Sequence, residues 1–373
     1  MKSGSPNPNR VRINGSIGGI LRKALKMSMK KPALAVYALR MIRRQKQAAR
    51  RRAQWGKLGI PAPPMMMASI TNRCNLACQG CYAQALQRNG DGEMPMGRWK
   101  QIMGEAHELG ISIVMLLGGE PFIRHDIVQV TGSFPEIIFL VFTNGMLLSR
   151  EIVNELKRQK HVVPMISMEG FEKDTDKRRG AGVHEKIQKT MEELRRGGNF
   201  FGASLTVTRD NFTVVTSEEF IKHLVEKGCS LVFFQEYVPV AKGTEEMVLS
   251  GIQREKLGII KNVLSEKFHA LFLVFPGSER GYGGCLAVEG GLIHISPDGN
   301  LEPCPLIPYS DSSVVGAPLK EALQSAFLMA IRNNGDALYQ NSAACPLREQ
   351  REWINAFFDA KTDSDAPSPR SSR

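Results

Sequence analysis

Three cysteines fall within eight residues, in Cys74-Asn-Leu-Ala-Cys78-Gln-Gly-Cys81-Tyr82. Thiolates this close in sequence converge on one ion or cluster more easily than they pair off across a fold, so the spacing points to metal chemistry in a reducing compartment. A structural zinc site wants a fourth Cys or His at a familiar spacing, and no His precedes His107. An iron-sulfur cluster held by three cysteines instead keeps one iron open to an outside ligand, which suits catalysis. The three cysteines alone leave zinc and iron-sulfur both open.

A second group lies downstream. Cys285 and Cys304 bracket Gly299 in a C-x13-G-x4-C spacing, and Cys345 follows. Pro297-Asp298-Gly299 reads as a turn between two strand-like runs, a hairpin that brings Cys285 and Cys304 to one end of a ribbon where Cys345 can close a site. Buried thiols are the plainer alternative, and for Cys229, at a helix-to-strand junction, burial is the expected reading. His125 and His294 read as satisfied side chains, and Met65-Met66-Met67 as strand core.

Elements that could position these groups follow from the apolar pattern. Strand-like runs at 65–71, 111–117, 137–143, 162–168, 201–208 and 230–237 alternate with helical spacing at 99–109, 151–160, 185–196 and 218–227. Six such β-α units predict an α/β protein with a parallel sheet, open or curled into part of a barrel, whose chemistry sits at the strand C-terminal ends. Each motif of interest falls at such an end: Gly118-Gly119-Glu120-Pro121, Thr143-Asn144-Gly145, Ser167-Met168-Glu169-Gly170 with Arg178-Arg179-Gly180 behind it, and Val238-Pro239-Val240. Thr208, Gln235 and Glu236 are strand-end candidates for substrate contact. After 237 the alternation is expected to stop: a helix over 252–268 leads to a Gly-rich segment, short strands and a helical stretch at 319–331. Predicted units are 1–60, 61–245, 246–360 and a disordered tail at 361–373.

Charge is polarised along the chain. Residues 1–90 hold 18 of the 49 Lys and Arg and no acidic residue, so the other 31 face all 37 Asp and Glu. Residues 1–15 read as loose; beyond them two amphipathic helical patterns carry Arg and Lys on their polar faces. Over 16–54 this fits either a hairpin docked on the body or an element lying on an anionic membrane surface. No apolar run is long enough to span a bilayer.

Taken in order, the motifs resemble those of the radical S-adenosylmethionine (radical SAM) superfamily, over residues 65–245. The resemblance implies a partial (β/α)6 barrel, a 4Fe-4S cluster on Cys74, Cys78 and Cys81, and S-adenosyl-L-methionine at its open iron. By the same resemblance Gly118, Gly119, Glu120 and Pro121 hold the methionine ammonium, Asn144 closes the third strand, Ser167 and Arg179 contact ribose and carboxylate, and Val238 to Val240 lie against adenine. Two departures stand out: Gly80 where an aromatic is common, which leaves the role of Tyr82 open, and Glu169 where Asp is usual. The segment around Cys285, Cys304 and Cys345 is similar to the auxiliary-cluster domains called SPASM or, when shorter, twitch, and implies a small α+β unit with a second cluster. The implied activity is formation of a 5′-deoxyadenosyl radical that abstracts hydrogen from a lipid, another membrane-associated molecule or a peptide. The implied setting is cytoplasmic, with flavodoxin or ferredoxin as electron donor, room for a peripheral place on the inner membrane face, and no nucleic acid. The competing class is a non-catalytic iron-sulfur or zinc protein that binds nucleic acid through the basic segment.

Overall fold

A computed structural model describes residues 8–29, 32–86, 92–276, 285–338 and 345–364. Nine strands form one sheet: β1 (Met65–Ser69), β2 (Ile113–Leu117), β3 (Ile138–Thr143), β4 (Val162–Met168), β5 (Gly202–Val207), β6 (Leu231–Glu236), β7 (Leu271–Phe275), β8 (Leu292–Ile295) and β9 (Leu301–Glu302). Their order is β7-β6-β5-β4-β3-β2-β1-β8-β9, with every pair parallel except β8 with β9. Consecutive parallel strands need helical crossovers; the predicted helices supply them except between β2 and β3, where the helix Ile127–Gly132 does so. Side chains of alternate parity then separate into two cores. Met66, Val114, Phe139 and Ile166 pack under the helices, whereas Met67, Met115, Met165 and Phe233 face the other way, into the concave side.

Two expectations change here. The β-α alternation runs one unit further than predicted, because the helix Gly251–Lys267 feeds β7, which extends the parallel sheet beside β6. The C-terminal hairpin does not stand apart either, since β8 adds in parallel to β1. His294, fully buried on β8, bonds Ser69 Oγ through Nε2 (2.8 Å) and Glu302 through Nδ1 (2.8 Å), which ties β1, β8 and β9 at one point.

The basic segment folds as two helices, α1 (Pro8–Ser28) and α2 (Pro32–Lys57). The expectation of a loose stretch through residue 15 fails from Pro8 onward, because Ile13 and Ile17 lie one turn apart and are buried against the body; residues 1–7 lie outside the described set. On α2 a buried stripe of Ala38, Met41, Gln45, Ala48 and Arg52 follows helical spacing. Gln45 exchanges hydrogen bonds with the Ser112 carbonyl (3.2 Å) and hydroxyl (2.6 Å), and Arg52 and Arg44 donate to the Gly110 and Pro135 carbonyls. Part of the basic charge is thus turned onto the body rather than offered to a polyanion. Among the described residues no helix is long and apolar enough to cross a membrane. At the other end, the last helix runs to Ser364, so the predicted tail disorder fails over 361–364, and 365–373 lie outside the described residues.

Candidate functional site

At the C-terminal ends of the strands lies a cavity of about 180 Å³. Cys74, Cys78 and Cys81 line it, and so do Cys285, Cys304 and Cys345, which arrive from the opposite end of the chain. Gly118, Gly119, Asn144, Ser167 and Arg179 line it too.

The loop carrying Cys74 is fixed from several sides. Glu93 accepts from Thr71 Oγ1 (2.6 Å) and the Asn72 amide (2.8 Å). Gly119 and Glu120 amides donate to the Thr71 and Arg73 carbonyls at 2.8 Å. The glycines are needed for that approach, since a Cβ on Gly118 would run into the Thr71 carbonyl oxygen and one on Gly119 into that of Arg73; Gly118 also has φ 136°. Asn144 donates to Asn75 Oδ1 (2.8 Å), with its amide 3.8 Å from Cys74 Sγ.

Glu120 is tied to the neighbouring strand end as well as to its own turn. Its carboxylate is fully buried and accepts from Thr143 Oγ1 (2.8 Å), the Asn144 amide (2.7 Å) and the Phe122 amide (3.1 Å). Burial raises its pKa above the usual range. Neither Glu120 nor Pro121 belongs to the cavity lining. The three bonds make Glu120 a brace between the β2 and β3 ends. Thr208 turns away, pairing with Asn211 in a local turn, while Gln235 and Glu236 do line the cavity. Arg254 contacts the Glu236 carboxylate from behind at 2.5 Å.

Glu169 organises the far wall. It takes Arg179 through two bonds (2.5 and 2.8 Å) and Arg178 through one (2.6 Å), all largely buried. Burial by itself would raise this carboxyl, but the two guanidiniums outweigh it and hold the pKa below the usual range. Arg178 was not singled out by sequence, yet its Nε donates to the Gln79 carbonyl (3.1 Å) and its own carbonyl accepts from Gln79 (3.0 Å), anchoring the loop between Cys78 and Cys81. Glu169→Gln should cost about 3–5 kcal/mol by leaving two buried cations unneutralised. The wild-type contribution is complete above the unfolded carboxyl value of about 4.3 and is lost as pH falls through the lower folded value. Urea midpoints should therefore separate the two proteins at pH 7 and converge in acid; equal midpoints at pH 7 would contradict the assignment.

Gly80 gains a reason as well. It has φ 66°, and a Cβ there would lie 2.5 Å from the hydroxyl of Tyr237, a residue at the β6 end that sequence reading passed over. Tyr237, Tyr82 and Val238 line the cavity, but Pro239 and Val240 do not; the Pro239 carbonyl accepts instead from Arg348 (3.0 Å).

The donor set fits a cluster. Among the described residues no three His, Cys, Asp or Glu side chains group tightly enough for a single metal ion. Thiols are the ligands that iron-sulfur clusters take, and three of them leave one iron open to an outside ligand. Burial pushes the Cys74 and Cys78 thiols above the ordinary cysteine range, and thiolate is the form in which cysteine ligates a cluster. Cys229 is buried away from the cavity, as its junction position suggested.

Residues 68–230 match the family model described as Radical SAM superfamily. An Fe-coproporphyrin III synthase of Methanosarcina barkeri is 27% identical over 151 residues, 40% of this chain and 38% of that protein. An AdoMet-dependent heme synthase of the same organism is 24% identical over 294 residues, 71% of this chain and 83% of that protein. The chain thus spans about two-fifths of the first relative. The fold resembles Streptococcus suis SuiB bound to S-adenosylmethionine, with TM-score 0.63 at 17% identity, covering 80% of this chain and 72% of that one.

Proposed function

We propose that this chain, which belongs over residues 68–230 to the radical SAM superfamily and is an enzyme using a 4Fe-4S cluster and S-adenosylmethionine, holds the cluster at Cys74, Cys78 and Cys81 and abstracts hydrogen from a substrate carbon in the cavity beside them. The observation that carries this reading is the convergence of six thiols from two distant segments on one cavity, together with Asn144, Ser167 and Arg179. Held by Cys74, Cys78 and Cys81, a 4Fe-4S cluster would supply the one-electron reduction of the S-adenosylmethionine sulfonium that opens hydrogen abstraction from an unactivated carbon, chemistry that no side chain provides.

The chain's own residues do the rest. Carbonyls of Gly118 and Gly119 receive the methionine ammonium, which needs acceptors. Ser167 offers its hydroxyl to the ribose, and the cationic edge formed by Arg178 and Arg179 faces the carboxylate. Tyr237 and Val238 give adenine an apolar wall. Met67, Leu117 and Phe142 close the base of the cavity and exclude water, which protects a radical from quenching. Cys285, Cys304 and Cys345 hold a second cluster, which either coordinates substrate or passes electrons. A flavodoxin or ferredoxin supplies reducing equivalents, and the exposed basic faces of α1 and α2 meet an anionic membrane surface where a lipid or other membrane-associated substrate is found.

Anaerobic reconstitution followed by iron and sulfide analysis tests the ligand assignment. About eight irons per chain are expected from two four-iron clusters; about four would remove the second cluster from the proposal, and none would remove both.

A further inference from the structure

Beneath the six thiols lies a second, larger cavity of about 720 Å³, lined by the sheet face and α1 and partly open to solvent. The pleat relates the two chambers. Met115 and Leu140 face the lower one, and two residues further along the same strands Leu117 and Phe142 face the upper. Phe233 and Phe275 line both. Phe142 meets Phe233 edge to face at 5.3 Å between ring centroids, and Phe233 lies 6.2 Å from Phe275, so three aromatic rings form the partition.

Ile20, Ala24 and Met27 of α1 pack against the cluster of Val163, Met165, Leu231, Phe233 and Leu271, and Leu21 against the cluster that includes Met67 and Met115, yet all four line the cavity and stay only half-buried, so the seam between α1 and the sheet is incompletely filled. A lining this apolar does not hold water well and favours an apolar guest, and the volume lies within the ~300–1,000 Å³ usual for ligand sites. Ser16, Tyr37, His161, Asn199 and Ser230 add scattered polar groups to the lining, but among the described residues its only formal charges are those of Lys157 and Lys160. Lys157, Lys160 and His269, at the N-terminal ends of the strands, are exposed residues of the lining and form a largely cationic rim.

We propose that this chamber binds the hydrocarbon tail of a long-chain lipid with an anionic head, the head at Lys157 and Lys160 and the tail running along α1 toward the partition of Phe142, Phe233 and Phe275. Charge complementarity at the rim and the apolar interior select this occupant. As a statement about the enzyme's substrate class it rests on the reaction proposed above. The binding itself requires neither iron nor S-adenosylmethionine, so failure to bind lipid and failure to cleave S-adenosylmethionine are separate results.

The test titrates cis-parinaric acid, a fluorescent long-chain fatty acid, and its methyl ester into the full-length protein. Saturable binding of the acid is expected. Ala24→Trp, which fills the chamber from α1, should weaken it about tenfold, the scale of roughly two lost methylene contacts. Leu140→Phe, a gentler filling from β3, should weaken it in the same direction, and circular dichroism verifies that each variant folds. Lys157→Glu with Lys160→Glu should weaken the acid about fivefold and leave the ester within about twofold. Absence of saturable binding, or unchanged affinity in both filling variants, would overturn the proposal. Equal response of acid and ester to the lysine changes would overturn the placement of the head.

Discussion

Replacing Cys74, Cys78 and Cys81 together by alanine is expected to lower 5′-deoxyadenosine formation by at least ~10⁵-fold, to background, while about four irons per chain remain. The size of the effect follows from what the protein cannot do without the group: no side chain supplies a one-electron reductant for a sulfonium. The selectivity follows from placement. These three residues sit on a loop held by Glu93, Gly119 and Arg178, whereas the remaining thiols of the cavity come from the β8–β9 region and the helix that begins after Cys345. Loss of one set should therefore leave the other to bind iron. Surviving deoxyadenosine production would contradict the assignment of these residues, and loss of all iron would make the downstream cysteines ordinary thiols.

The second large effect is expected from Cys304→Ala combined with Cys345→Ala. Both residues are buried in the native fold, at 7% and 8% exposure, and both line the cavity. Removing them should eliminate about four irons while reductive cleavage of S-adenosylmethionine continues at the Cys74 loop. Stability should fall as well, because metal binding at a site formed only in the folded chain is folding free energy. The fingerprint is a lower thermal midpoint, half the iron, and undiminished 5′-deoxyadenosine with reductant. Full iron content in the double variant would remove the second cluster, whatever the activity.

Much of the site was legible because its parts are strand ends. Apolar runs of seven or eight residues located β1 to β6, which are five to seven residues long, and cysteines, glycines, Ser167 and Arg179 at their C-terminal ends converged as parallel β-α topology requires. What sequence could not give was direction. The type of Glu120 suggests a grip on an ammonium, but the three hydrogen bonds by which it also braces β2 to β3 are not written in its neighbours. Arg178 stands beside Arg179 and looks equivalent to it, yet it alone bonds Gln79. Tyr237 is one more aromatic in an apolar run until its hydroxyl is found beside Gly80. The seventh strand was missed because Leu271–Phe275 leads into Pro276 and a glycine-rich stretch, which reads as a boundary. Placement of α1 over the concave face was out of reach for the same kind of reason. A helical stripe states that a face will be buried, not against what.

The most direct test of the central claim uses the unaltered protein, reconstituted anaerobically with iron and sulfide and given dithionite and S-adenosylmethionine. The account predicts that methionine and 5′-deoxyadenosine appear in equal amounts and only when reductant is present. A folded, iron-loaded protein that forms neither would contradict it.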